Sequence, residues 1–150
     1  MPDSLVLLYP CSRVFFQEAT PSNFLSLSEY FIDTAYINEI GRIYKDIPSK
    51  NINHPIKSLA LNEDFSFYLT PQEIVRKFPK VSLIVASRDP LRDECYKLAD
   101  FLLSNNVDLD LKEFLYFPHG FMNLTSMVDR YYNLGLDHFI KCVQNGFDYK

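Results

Sequence analysis

The sequence predicts an α/β fold: about three parallel strands with helices packed on both faces of an incomplete sheet. Three observations carry this. Residues 4–9 and 81–86 are short apolar runs without alternation, the pattern of strands covered on both faces in a parallel sheet. Residues 107–117 form a third β-rich segment. The stretches between carry apolar residues at helical spacing, and strands alternating with helices argue for a parallel sheet.

The first run, Ser4-Leu-Val-Leu-Leu-Tyr-Pro10, ends at a proline, and residues 11–21 read as loop. From 22 to about 44 the pattern is helical, with Leu25, Leu27, Tyr30, Phe31, Ala35, Ile37 and Ile40 apolar. Residues 45–66, with Pro48, Pro55 and several charges, are the least regular and read as a surface wrap. The chain is thus one partial domain over 1–150, with an irregular surface or cap-like insertion at about 11–70. A short helix is expected near Thr70-Pro71-Gln72-Glu73, with Thr70 as cap, Pro71 at the first helical position and Glu73 completing a capping box.

Val81-Ser-Leu-Ile-Val-Ala86 is the clearest strand. Asp89-Pro90 opens a helix to about Asn105, in which Leu91, Cys95, Leu98 and Leu102 make one stripe and Arg92, Asp93, Lys97 and Asp100 lie mostly off it. In the third strand, Leu109, Leu111, Leu115 and Phe117 are expected on one face, with Glu113 the exception. Pro118-His119-Gly120-Phe121 reads as a turn, and a last helix covers about 124–143 with a break or kink at Gly135.

Composition narrows the function classes. The chain has 150 residues, 47% hydrophobic and 23% charged, enough for one core and too few for two domains. The net charge is −4 and the basic residues are scattered, which disfavours nucleic acid as a partner. Cys11, Cys95 and Cys142 have neither C-x-x-C nor zinc spacing, so reduced thiols in a cytoplasmic protein are expected. No signal peptide or transmembrane run is visible, and Asn123-Leu124-Thr125 is a lone sequon.

In open α/β sheets functional groups gather past the carboxyl ends of the strands. Asp89 lies three residues beyond 81–86, and His119 two residues beyond Phe117. A carboxylate paired with an imidazole fixes the tautomer and leaves the other ring nitrogen to take a proton from a nucleophile. Gly120 allows a sharp turn beside the ring. Asp89 before Pro90 fits a helix N-cap equally well, and His119 fits a satisfied loop histidine. Asp93 reads as a solvated first-turn acid or an assistant to the site. His54 and His138 read as surface or packing residues, Cys95 as core, and Cys11 as a small buried residue or a reactive thiol.

Two motifs weigh on these alternatives: Ala86-Ser87-Arg88-Asp89-Pro90-Leu91-Arg92-Asp93-Glu94 and Phe117-Pro118-His119-Gly120-Phe121. They resemble the D-P-L-x-D-E and H-G-F motifs of the α/β-hydrolase family that includes hormone-sensitive lipase and arylacetamide deacetylase. The resemblance implies that Asp89 is a triad acid and His119 its base, thirty residues on. Residues 2–10 look like the family strand that follows the nucleophile helix. Thr20-Pro21-Ser22 before Phe24-Leu25-Ser26-Leu27 looks most like hormone-sensitive lipase, and Phe67-Tyr68-Leu69-Thr70-Pro71 loosely resembles the family's S-P-L segment.

The family's serine sits in a G-x-S-x-G elbow. The four glycines here, at 41, 120, 135 and 146, include no two spaced four apart, and the H-G-G-G oxyanion loop is absent. Of the serines, Ser87 lies closest to the acid, without an elbow around it. The resemblance therefore implies the C-terminal portion of an α/β-hydrolase, beginning after the nucleophile: a truncated gene model, a split gene or a short product. It implies an acyl ester or acylglycerol substrate, a missing N-terminal half as partner, no cofactor or metal, and association with lipid droplets as an option. The alternative is a non-catalytic binding or regulatory module derived from the hydrolase. A nucleotide-binding domain is disfavoured, because no glycine-rich phosphate loop is present.

Overall fold

The computed structural model describes residues 2–12, 20–25, 35–36, 39, 67–123 and 129–147. The elements are β1 (Ser4–Leu8), α1 (Pro21–Leu25), a 3-10 turn (Phe67–Leu69), α2 (Gln72–Val75), β2 (Lys80–Arg88), α3 (Arg92–Ser104), β3 (Leu109–Pro118), a second 3-10 turn (Phe121–Asn123) and α4 (Asp129–Phe147). Most of the expected 22–44 helix, the irregular 45–66 stretch and His54 lie outside the described residues.

The three strands form one parallel sheet in the order β1-β2-β3. β2 is central and carries the core: Val81, Leu83, Ile84, Val85 and Ala86 are all fully buried. Burying each large aliphatic side chain contributes about 1.5–3 kcal/mol. Successive side chains point to opposite faces. Leu83 and Val85 pack with Cys95 and Ala99 of α3. Ile84 and Ala86 pack with Phe117 and Phe121, against which Phe139 of α4 rests. Helices thus cover both faces, as the apolar runs predict. β1, expected to be buried on both faces, is only half-buried throughout.

The expected α3 stripe holds: Leu91, Cys95, Leu98 and Leu102 are all buried. The helix ends in a Schellman motif with Asn106 in the left-handed conformation (φ 61°). The Val107 and Asn106 amides return to the carbonyls of Leu102 (3.1 Å) and Leu103 (3.0 Å).

Four sequence expectations are corrected. The capping box at Thr70 does not form: Pro71 is extended (ψ 135°) and is itself the N-cap, without a side-chain cap bond. Thr70 therefore stands one position too early to cap. In β3, Leu109 and Leu111 face α3, whereas Phe114 and Phe117 join the opposite cluster and Leu115 is 61% exposed. The cause is a bulge. Ala86 pairs with Phe114 and Arg88 with Pro118, so one residue of β2 stands opposite three of β3, and Tyr116 takes a positive φ of 69°.

Gly135 does not break α4, which runs unbroken from Asp129 to Phe147. A Cβ there would lie 2.5 Å from Cε2 of Phe121, so the glycine admits that ring. In α1, Leu25 of the expected apolar stripe is 81% exposed, while Ser22 and Asn23 are buried.

Candidate active site

The site is assembled at the carboxyl ends of the three strands. β2 continues to Arg88, two residues past its apolar run, so Asp89 follows the strand directly and is fully buried. Its two carboxylate oxygens have separate tasks. Oδ1 accepts the Leu91 amide at 2.8 Å, closing a tight turn before α3. Oδ2 lies 2.8 Å from Nδ1 of His119. Asp89 is therefore not the helix N-cap: its Oδ1 closes the turn two residues ahead of it. Asp89 stands just ahead of the helix cap at Leu91, and its backbone carbonyl accepts the Arg92 amide at 3.0 Å.

His119 is delivered by the turn after β3. Gly120 adopts φ 71°, where a side chain is strained, and its carbonyl accepts the Asn123 amide at 2.8 Å. The bulge ahead of the turn is pinned by Ser87, whose hydroxyl accepts the Tyr116 amide at 2.7 Å. Ser87 is thus engaged in shaping the strand end. Arg92 binds Glu113 at 2.7 Å and joins α3 to β3 between the acid and base loops.

As a carboxylate Asp89 only accepts, so Nδ1 of the neutral ring carries the hydrogen and Nε2 is the basic atom. Among the described residues no hydrogen bond engages Nε2, and the His119 side chain keeps 17% of its surface exposed. The arrangement can hold one tautomer, accept a proton at Nε2, and stabilise the resulting imidazolium.

Tyr9 completes the surround and was not singled out by the sequence reading. It takes φ 35° just beyond β1, and its ring meets His119 edge-on at 4.8 Å and Phe121 at 5.6 Å. Burial, followed by the charge of Asp89, raises its hydroxyl pKa against a backbone hydrogen bond from Met122. Phe121 is fixed in turn by Phe117 at 4.7 Å and by the space at Gly135.

A second polar layer lies behind the acid loop. Glu94 is only 2% exposed and meets Lys97 at 3.0 Å and Ser12 Oγ at 3.3 Å. Asp93, in the first turn of α3, keeps 21% of its side chain exposed, and its Oδ2 accepts the Ser22 amide at 2.8 Å. Ser22 Oγ and Asn23 Nδ2 both donate to the Pro90 carbonyl, at 2.9 and 2.7 Å. The sequence signals for this layer were Asp93 and Glu94 within the acid motif and the Thr20-Pro21-Ser22 segment.

Cys95 is buried as expected, and burial pushes its thiol well above the usual range; Cys11, in contrast, is exposed. His138 packs against Phe114 at 5.7 Å, and burial lowers its pKa. Among the described residues, no group of three or more His, Cys, Asp or Glu is placed to hold a metal ion, and no helix is long and apolar enough to cross a membrane.

The same architecture recurs in solved esterases. An esterase of Pyrobaculum calidifontis matches with a TM-score of 0.71 and 22% identity over 95% of this chain and 43% of its own. One of two fungal esterases from Rhizomucor miehei matches with a TM-score of 0.75 and 22% identity, over 99% and 44% respectively. A bacterial heroin esterase matches with a TM-score of 0.71 and 18% identity, over 96% and 42%. The chain thus spans less than half the length of these structures. No match was found among curated proteins. A family model described as α/β hydrolase fold matches residues 1–123. That match takes in β1, the acid loop after β2 and the histidine turn after β3, and the chain belongs to the α/β-hydrolase fold family.

Proposed function

We propose that this chain supplies the acid and base of a serine carboxylic-ester hydrolase, with Asp89 as triad acid and His119 as triad base. The carrying observation is the 2.8 Å contact between Asp89 Oδ2 and His119 Nδ1, made by two loops at the carboxyl ends of adjacent parallel strands. In this reading Nε2 of His119 removes the proton from a serine hydroxyl as the oxygen attacks the ester carbonyl. The same proton then passes to the leaving alcohol, and a second round with water frees the acid. Asp89 holds the tautomer and stabilises the imidazolium, remaining ionised throughout.

No G-x-S-x-G elbow occurs in the 150 residues. The proposal therefore places serine and oxyanion hole in a hydrolase segment outside them, packed beside β1. The half-buried state of β1 supports this, because a strand flanked by further strands would become covered. Most of the irregular or cap-like insertion expected at about 11–70 lies outside the described residues. The motifs around Asp89 and His119, with Thr20-Pro21-Ser22, favour a hormone-sensitive-lipase-like enzyme acting on acylglycerols or short acyl esters.

The test is turnover. The chain combined with a segment bearing the elbow is expected to hydrolyse p-nitrophenyl acyl esters, with the dependence on acyl length separating a lipase from a short-chain esterase. A soluble, folded combination that leaves every ester intact would favour the second reading, a non-catalytic hydrolase-derived module.

A further inference from the structure

The polar residues at α1 are buried, while Leu25 of the expected apolar stripe is exposed. Thr20, Ser22 and Asn23 are 3%, 4% and 3% exposed, although docking a five-residue helix needs no buried polar cluster. Their bonds converge on one peptide group. Ser22 Oγ and Asn23 Nδ2 donate to the carbonyl of Pro90. The amide and the hydroxyl of Thr20 both donate to Asn23 Oδ1, at 2.8 and 3.0 Å, which fixes the side-chain amide with Nδ2 toward Pro90. Ser22 is anchored by a reciprocal pair with Asp93, its amide donating to Oδ2 at 2.8 Å and its Oγ accepting the Asp93 amide at 3.3 Å.

The Pro90 carbonyl and the Leu91 amide belong to one planar peptide unit, so orienting one orients the other. The Leu91 amide donates to Asp89 Oδ1, and the opposite oxygen of that carboxylate meets His119. A continuous path thus runs from Ser22 and Asn23 through one rigid peptide plane to the carboxylate and the imidazole.

We propose that Ser22 and Asn23 are positioning residues that hold the Pro90–Leu91 peptide and thereby aim the Asp89 carboxylate at His119. The catalytic use of that aim rests on the function proposed above, but the aim itself is measurable without any serine. In the 150-residue chain with 15N-labelled histidine, the Nδ1 proton of His119 gives a downfield resonance protected from exchange with water. Asp89→Asn abolishes it. Ser22→Ala and Asn23→Ala each speed its exchange about tenfold, the scale of one lost hydrogen bond. Asn23→Asp, which keeps the side chain's size but turns the Nδ2 donor into an acceptor facing the Pro90 carbonyl, speeds it further. Val75→Ala, in the buried cluster beyond the amino-terminal half of the sheet, lowers the unfolding midpoint and leaves the resonance unchanged.

Wild-type exchange in folded Ser22→Ala and Asn23→Ala overturns the proposal, as does an equal response to Val75→Ala. If one alanine variant fails to fold, Asn23→Asp and the remaining alanine decide. Accelerated exchange without ester turnover in any combination leaves the clamp standing and removes the hydrolase reading; turnover with unaltered exchange does the reverse.

Discussion

The two ends of the sheet are built differently. Toward the amino-terminal ends, β1, β2 and β3 run in uninterrupted parallel register, and the interior is aliphatic, with Val81, Leu98, Leu102 and Val107 buried together. Toward the carboxyl ends the register breaks at Ala86/Arg88. Tyr9, Tyr116 and Gly120 take positive φ there, and Asp89, Glu94, Ser22 and Asn23 are buried. Left-handed backbone and buried polar groups each cost free energy. They persist because the regular end holds the strands in place. The difference teaches where most of the irregularity gathers: around one carboxylate–imidazole pair, with Asn106 (φ 61°) and the buried Asn105 the exceptions at the other end.

Substitutions at the two ends separate these roles. Asp89→Asn, in an assembled hydrolase, is expected to lower kcat on the order of 10⁴-fold, as the equivalent change does in a serine protease, by releasing the wrong imidazole tautomer. Its thermal stability should change far less than its activity. Leu102→Ala, at a site with no exposed surface, is expected to cost about 2–5 kcal/mol in denaturant unfolding. Leu115→Ala, on the bulge, should stay within about 0.5 kcal/mol. Equal losses at the two leucines would contradict the placement of the bulge.

Gly135→Val forces the Phe121 ring away and is expected to destabilise by about 1–3 kcal/mol. It should also loosen the Tyr9–His119 edge contact, which the ring supports from behind.

A further effect is electrostatic. Burial raises the Cys95 thiol pKa above its ordinary value of 9.0. The unfolded chain therefore loses this proton while the folded chain keeps it. The corresponding stability is complete below pH 9 and declines as the pH rises past it, by at most about 1.4 kcal/mol per pH unit. Cys95→Ala should flatten the alkaline side of the stability–pH curve. A thiol reagent should meet Cys11 before Cys95.

Much of this was legible in the residues. Apolar runs located β1 and β2 because β2 is covered on both faces. The Leu91, Cys95, Leu98, Leu102 stripe located α3 because helical periodicity is a local property. Asp89 and His119 were legible through their motifs and through their place after strands. The interior of β3 was not, because alternation assumes an unbroken pleat and the bulge at Leu115 and Tyr116 breaks it. Gly135 looked like a helix breaker because its reason is a ring fourteen residues earlier in the chain. The buried roles of Ser22 and Asn23 were not legible, since their shared partner, the Pro90 carbonyl, is a backbone atom nearly seventy residues away. Contacts of that kind leave no local pattern.

The central claim, that Asp89 and His119 serve a serine supplied from outside these 150 residues, is tested most directly with a fluorophosphonate probe. The chain is to be treated alone and together with a segment bearing a G-x-S-x-G elbow. The account predicts that a serine of the added segment is labelled only in the mixture, and that His119→Ala abolishes the labelling. Labelling of this chain by itself, or labelling that survives His119→Ala, would contradict it.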